Sequence, residues 1–269
     1  EWLRQREKAF SQEARDYGLP APKGIALIGI PGTGKSLTAR MVAGLWHLPL
    51  VRLDVGALFG GLVGQSEENT RRALALVETI SPCLLWIDEM EKGLASGGGD
   101  GGTSQRVFQN LLTWMQEKKK PVFVIGTANN IAALPPEFLR KGRFDEVFFL
   151  DLPSRVERRE IFQVHLEKRK LPPQLFDLET LDEAAEGYVG AEIEQAVVDA
   201  MYLAFNDRQQ PGRDFTTQDI LQALARQVPL SKSQVEAIQS LRRWLVEGRA
   251  QSASYAETAR WQENVVKLQ

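Results

Sequence analysis

The sequence predicts an α/β fold: a five-stranded parallel sheet covered by helices, followed by a smaller all-helical part. Short apolar runs alternate with amphipathic stretches between Ile25 and Leu150. Those runs are apolar throughout, and beyond Asp151-Leu152-Pro153 only helical periodicity remains. A strand that is apolar on both faces is covered on both, as parallel strands joined by helical crossovers are.

Trp2, Leu3, Phe10 and Ala14 recur at helical spacing among charges and predict one helix, ended by Tyr17-Gly18-Leu19-Pro20. Residues 1–20 therefore read as a linker helix. Ile25 to Ile28, Leu50 to Leu53, Cys83 to Ile87, Val122 to Thr127 and Val147 to Leu150 read as strands of a large domain over 21–151. Helices over Ser154 to Lys168, Leu178 to Glu186, Ala191 to Asn206 and Thr217 to Gln227 then make a small domain over 152–232, and 233–269 reads as a helical extension. The stretch from Ser96 to Gly102 has almost no side chain to pack, so it reads as a mobile loop or a plain linker between helices.

Composition narrows the function classes. Lys plus Arg number 33 against 35 Asp plus Glu, a net charge of -2, so no global positive field exists to hold a phosphate backbone and nucleic acid is disfavoured as a partner. The one cysteine, Cys83, lies in an apolar run and reads as a buried small hydrophobe, with no disulfide framework possible. No apolar stretch approaches the roughly 20 residues that cross a bilayer, and Glu1 to Phe10 are charged rather than signal-like. An aqueous, reducing compartment is expected, most simply a cytoplasm. His47 and His165 show no metal-ligand spacing, while Trp46, Trp86 and Trp114 sit on apolar faces and read as core.

The chemistry begins at Gly29-Ile30-Pro31-Gly32-Thr33-Gly34-Lys35-Ser36, a Walker A loop between a predicted strand and a predicted helix. Its glycines let backbone N–H groups close around phosphates, and the helix N-terminus adds a favourable dipole. Pro31, Gly32, Thr33, Gly34, Lys35, Ser36 and Leu37 are thus the expected ATP contacts, with the Ser36 hydroxyl on Mg²⁺. Leu84-Leu85-Trp86-Ile87-Asp88-Glu89 delivers two adjacent carboxylates at the carboxyl end of a strand, the edge where open α/β sheets bind ligands. Asp88 is placed to organise Mg²⁺ through its water shell, and Glu89 to orient and polarise the attacking water. Asn129, at the end of the next strand, suits the γ-phosphate and that water, although alone it would read as a turn residue. Leu139-Arg140-Lys141-Gly142-Arg143-Phe144-Asp145 is a dense basic turn, which in isolation would read as a solvated face.

In this order and spacing the motifs resemble the core of the AAA+ ATPases, in the clade that contains FtsH and katanin. The resemblance implies a P-loop NTPase core with a helical lid. It also implies that Arg140 and Arg143 act in the ATP site of an adjacent subunit, with Lys141 at a position that is usually proline. Gly187-Tyr188-Val189-Gly190-Ala191-Glu192-Ile193 resembles the lid motif of the clade, which implies that Gly190 and Ala191 lie near adenine and ribose. Trp2-Leu3, Tyr17-Gly18-Leu19-Pro20, Leu50 to Asp54, Pro82 to Glu89 and Phe215 to Ile220 resemble one subfamily, the AAA ATPases first catalogued as a hypothetical plastid reading frame and found in cyanobacteria and other bacteria, which implies a bacterial cytoplasm or a plastid stroma. Relatives carry an adenine-contacting loop just upstream of the segment that Trp2-Leu3 resembles, so a part preceding Glu1 is expected.

Two further positions depart from the pattern of the clade. Leu62 stands where threading members present an aromatic pore residue, and it offers less area and no ring face, with Phe59 nearby as a substitute or as core. Gln116-Glu117-Lys118 replaces the clade's Asp-Gly-Phe signalling triplet. The expected function is Mg-dependent ATP hydrolysis by an oligomer of this chain, most simply a hexameric ring, that remodels a protein partner or adaptor. A nucleotide-gated switch without threading is the alternative, and a nucleic-acid loader the third.

Overall fold

The computed structural model describes residues 1–55, 65–92, 101–135, 137 and 142–254. They divide into two compact units. One holds Glu1–Gly29, Lys35–Phe149 and Arg249–Gln251; the other holds Ile30–Gly34, Leu150–Gly248 and the residues from Ser252 onward.

In the first unit the N-terminal segment forms two short helices, α1 (Trp2–Gln5) and α2 (Gln12–Tyr17), where the periodicity predicts one. Ser11 restarts the helix, its hydroxyl accepting the Ala14 N–H at 3.1 Å. The break lets two aromatic anchors seat separately: Trp2 against Phe123 and Phe148, Phe10 against Trp46. Trp46 completes the join by donating its indole N–H to the Leu3 carbonyl at 3.1 Å.

The sheet comprises β1 (Gly24–Gly29), β2 (Leu50–Leu53), β3 (Cys83–Ile87), β4 (Val122–Ala128), β5 (Glu146–Leu150) and β6 (Gln251–Ser252), in the order β2-β3-β4-β1-β5-β6. β1 and β3 flank β4 in parallel, and β2 runs parallel to β3. Every residue of β1, β3 and β4 is buried, which is why these runs lack polar alternation. The predicted five-stranded sheet therefore has a sixth strand, and strands do not stop at Asp151. β6 is two residues long, too short to leave a periodic signal, and Gln251 secures it by donating to the Glu146 carboxylate at 2.9 Å.

Among the described residues three helices accompany this sheet: α3 (Lys35–Trp46), α4 (Gln65–Ile80) and α5 (Gly101–Glu117). α5 already includes Gly101 and Gly102, so the predicted glycine loop is shorter than read, and the rest of it lies outside the described residues. Val107, Phe108, Leu111, Leu112 and Met115 form its buried stripe. Trp114 is not core: half-buried, it donates its indole N–H to Glu78 on α4 at 2.8 Å, a polar partner that residue spacing does not reveal.

The second unit carries α6 (Arg155–Glu167), α7 (Leu178–Ala184), α8 (Gly190–Phe205), α9 (Thr217–Arg226), α10 (Leu230–Ser233) and α11 (Val235–Trp244). Its core joins Phe162, Leu166, Leu181, Ile193, Val197, Ile220 and Leu224. Ser154 and Glu157 cap α6 reciprocally, Ser154 N–H to the Glu157 carboxylate at 2.7 Å and Glu157 N–H to the Ser154 hydroxyl at 3.4 Å. Arg242 on α11 binds both carboxylate oxygens of Asp151. Among the described residues no helix is long and apolar enough to cross a membrane.

At the start of α9, Arg213 grips both oxygens of Asp219 at 2.7 Å, and that guanidinium holds the Asp219 carboxyl down to about 2. Because the folded value is depressed, the pair's contribution is complete above about pH 4, the ordinary carboxylate range. It is lost as pH falls toward about 2. Asp219→Asn is expected to lower stability by about 1–2 kcal/mol near neutral pH. Urea unfolding at a series of pH values should show the gap between wild type and variant closing over that acidic window, and a gap independent of pH would count against the pair.

Candidate functional site

In the first unit, parallel β1, β3 and β4 end side by side, and α3 starts with Lys35 and Ser36. Lys35 is buried and its ammonium donates to the Gly29 carbonyl at 2.9 Å. Burial pushes its amine down to about 8, against the opposing pull of Glu91, Asp88 and Glu89. The Ser36 hydroxyl lies 3.4 Å from Asp88 Oδ1. That oxygen also accepts from the Thr127 hydroxyl at 2.7 Å. Asp88 Oδ2 pairs at 3.2 Å with Arg52, whose guanidinium stacks over the Trp86 ring at 4.9 Å.

Glu89 follows in a left-handed conformation, φ 47°, that non-glycine residues rarely adopt. One carboxylate oxygen accepts from the Asn129 side-chain amide at 3.2 Å, and the other meets the Lys92 ammonium at 2.5 Å. Hydrogen bonding to Glu89 holds the Lys92 amine above its ordinary range. Asn129 is held in turn, its backbone N–H donating to Glu91 at 2.9 Å. Glu91 is buried, and its second carboxylate oxygen has no hydrogen-bond donor among the described residues. The Ser36 hydroxyl and Asp88 carboxylate are hard oxygen donors of the kind that Mg²⁺ takes while keeping several of its waters.

Leu37, on α3, is largely exposed. Within the second unit, Thr33 donates its hydroxyl to the Ile30 carbonyl at 2.7 Å, and Ala191 donates its backbone N–H to the Gly32 carbonyl at 3.1 Å. Gly32 has φ +80°, and a Cβ there would come 2.8 Å from Val189 Cγ2 and 3.2 Å from the Ala191 Cβ, so only glycine fits against the start of α8. Gly190 is the first residue of that helix. Pro31 and Gly34 complete this loop segment.

The basic turn is described in part. Arg143 donates to the Glu137 carbonyl of its own chain, whereas Arg140 and Lys141 lie outside the described residues, as do Phe59 and Leu62. At the position of the altered triplet, the Lys118 ammonium turns inward to the Val122 carbonyl at 2.5 Å, and burial pushes it down to about 8. The motifs thus name Lys35, Ser36, Asp88, Glu89 and Asn129, which the fold gathers at one sheet edge. They do not name Arg52, Thr127, Glu91 or Lys92. Arg52 and Thr127 are strand residues whose partners are set by register, Arg52 standing opposite Trp86, whereas Glu91 and Lys92 follow Glu89 just after β3.

A P-loop opening a helix, with adjacent carboxylates at the end of the second strand over, defines a P-loop nucleotide-binding domain. Residues 25–152 match the family described as ATPase family associated with various cellular activities (AAA), so the chain carries a domain of that family. It is 50% identical over 257 residues to the "Uncharacterized AAA domain-containing protein ycf46" of Pyropia yezoensis, an alignment covering 94% of this chain and 51% of that protein. The protein of the same name from Guillardia theta is 51% identical over 256 residues, covering 94% and 50%. A more distant relative, the "ATP-dependent zinc metalloprotease FtsH" of Thermotoga maritima, is 33% identical over 228 residues, covering 81% and 36%. The chain spans about half the length of the ycf46 proteins it matches.

Proposed function

We propose that this chain binds ATP with Mg²⁺ and hydrolyses it within an assembly of its own copies, most simply a hexamer, coupling nucleotide state to the remodelling of a protein partner. The observation that carries the reading is the cluster of Ser36, Asp88, Glu89 and Asn129 beside Lys35. In this reading Pro31 to Leu37 contact the triphosphate, with Lys35 supplying charge to its terminal oxygens and Gly190 and Ala191 lying near adenine and ribose. Ser36 and Asp88 would hold Mg²⁺, which when bound neutralises phosphate oxygens as charge shifts to the leaving group. Glu89 orients a water and takes its proton as the oxygen bonds to the γ-phosphorus and the bridging bond to ADP breaks. Asn129 fixes Glu89 and is within reach of that water. Arg140 and Arg143 complete the positive charge from the neighbouring copy.

ATP binding, measured by equilibrium titration with and without chelator, tests the site, and turnover per subunit across a dilution series tests the assembly. Affinity is expected to need magnesium, and turnover per subunit to rise with protein concentration. A dilute monomer working at full speed would sink the shared site.

A further inference from the structure

We propose that Thr127 is a positioning residue that holds the Asp88 carboxylate and the Glu89 backbone at the β3 terminus for the chemical step, a proposal that rests on the ATP-hydrolysis reading above. Thr127 is 1% exposed, near the end of β4. β3 and β4 pair with Ile87 opposite Gly126, so Asp88, which directly follows β3, meets Thr127 of β4 at the sheet edge. The threonine hydroxyl donates to Asp88 Oδ1 at 2.7 Å and accepts the Glu89 backbone N–H at 2.9 Å. Its carbonyl accepts the Met90 N–H at 2.9 Å. One residue therefore staples all three positions of the turn that carries Glu89 through its left-handed conformation.

The residue before it makes the staple possible. A Cβ at Gly126 would come 2.5 Å from the Met90 sulfur and 3.1 Å from the Phe144 ring, so glycine there lets Met90 sit flat on β4 and the turn close onto Thr127. A hydroxyl is the one small group that both donates to a carboxylate and accepts from an amide. It fixes Asp88 as acceptor toward Ser36 and Glu89 as acceptor toward Asn129 together. A threonine that merely satisfied its own buried hydroxyl would need only one of these bonds.

Thr127→Val keeps the volume and the carbonyl bond to Met90 while deleting both hydroxyl bonds. Loss of an outer-shell partner of this kind is expected to lower turnover about 10- to 100-fold and to raise the magnesium concentration that half-saturates nucleotide binding about tenfold. Nucleotide affinity at saturating magnesium should not change, because the P-loop is untouched. Thr127→Ser, which restores the hydroxyl, should recover most of both losses. A valine variant with wild-type turnover and wild-type magnesium dependence would reduce Thr127 to packing and overturn the proposal. Should the valine variant fail to fold, Thr127→Ala and Thr127→Ser decide the matter, with equal magnesium dependence in the two being the overturning result. Wild-type protein without magnesium-dependent ATP affinity would remove the functional reading and this proposal with it, an outcome distinct from a normal wild type with an indifferent variant.

Discussion

Arg140→Ala is expected to lower ATP turnover by about 10³-fold while leaving ATP affinity close to wild type, because in the proposed shared site the arginine acts on charge that develops only in the transition state. The stronger test is complementation. Lys35→Ala subunits lack a working P-loop yet keep their arginine, and Arg140→Ala subunits lack the arginine yet keep their P-loop. Two inactive proteins should therefore regain activity on mixing, with about a quarter of sites in randomly assembled rings pairing an intact loop with an intact arginine. Turnover measured after mixing, against each variant alone, decides this. No recovery in mixtures that demonstrably co-assemble would place the arginine in its own subunit or outside the mechanism. Arg143 is the second arginine of that turn, and its bond to the Glu137 carbonyl ties it to its own chain in this structure.

Glu89→Gln is expected to retain ATP binding while turnover drops about 10²- to 10⁴-fold, the range over which a positioned general base contributes. The substitution keeps the shape and an oxygen that still accepts from Asn129. It removes the negative charge that attracts Lys92 and that polarises water in the proposed mechanism. Separate measurement of the ATP dissociation constant and of single-turnover hydrolysis distinguishes the two effects, since lost affinity with unchanged chemistry would mean that Glu89 serves binding. Unchanged turnover would remove it from the mechanism. The trapped ATP-bound variant also suits capture of protein partners.

Much of the fold was legible because burial on both faces of β1, β3 and β4 writes itself as unbroken apolar runs, and because capping residues such as Ser154 mark helix starts. Two elements were not. The N-terminal helix breaks between Gln5 and Gln12 so that Trp2 and Phe10 can both join the ring cluster around Trp46 and Phe123, a tertiary demand that overrides helical spacing. β6 forms from two residues that carry no periodic signal and gain their strand from a neighbour about 100 residues away in sequence, Glu146 binding Gln251.

The class of chemistry is written in the chain itself: a loop of glycines before Lys35 and Ser36, two acids after an apolar strand, and an amide after the next are local patterns, and local patterns survive without coordinates. How those groups are held is settled by packing. Arg52 on Asp88, Thr127 between Asp88 and Glu89, Lys92 on Glu89 and Glu91 on Asn129 are contacts made by register and by one left-handed turn. Lys92 reaches Glu89 from three residues on, whereas Arg52, Thr127 and Glu91 meet their partners across 36 to 39 residues of sequence, and only the tertiary structure brings those together.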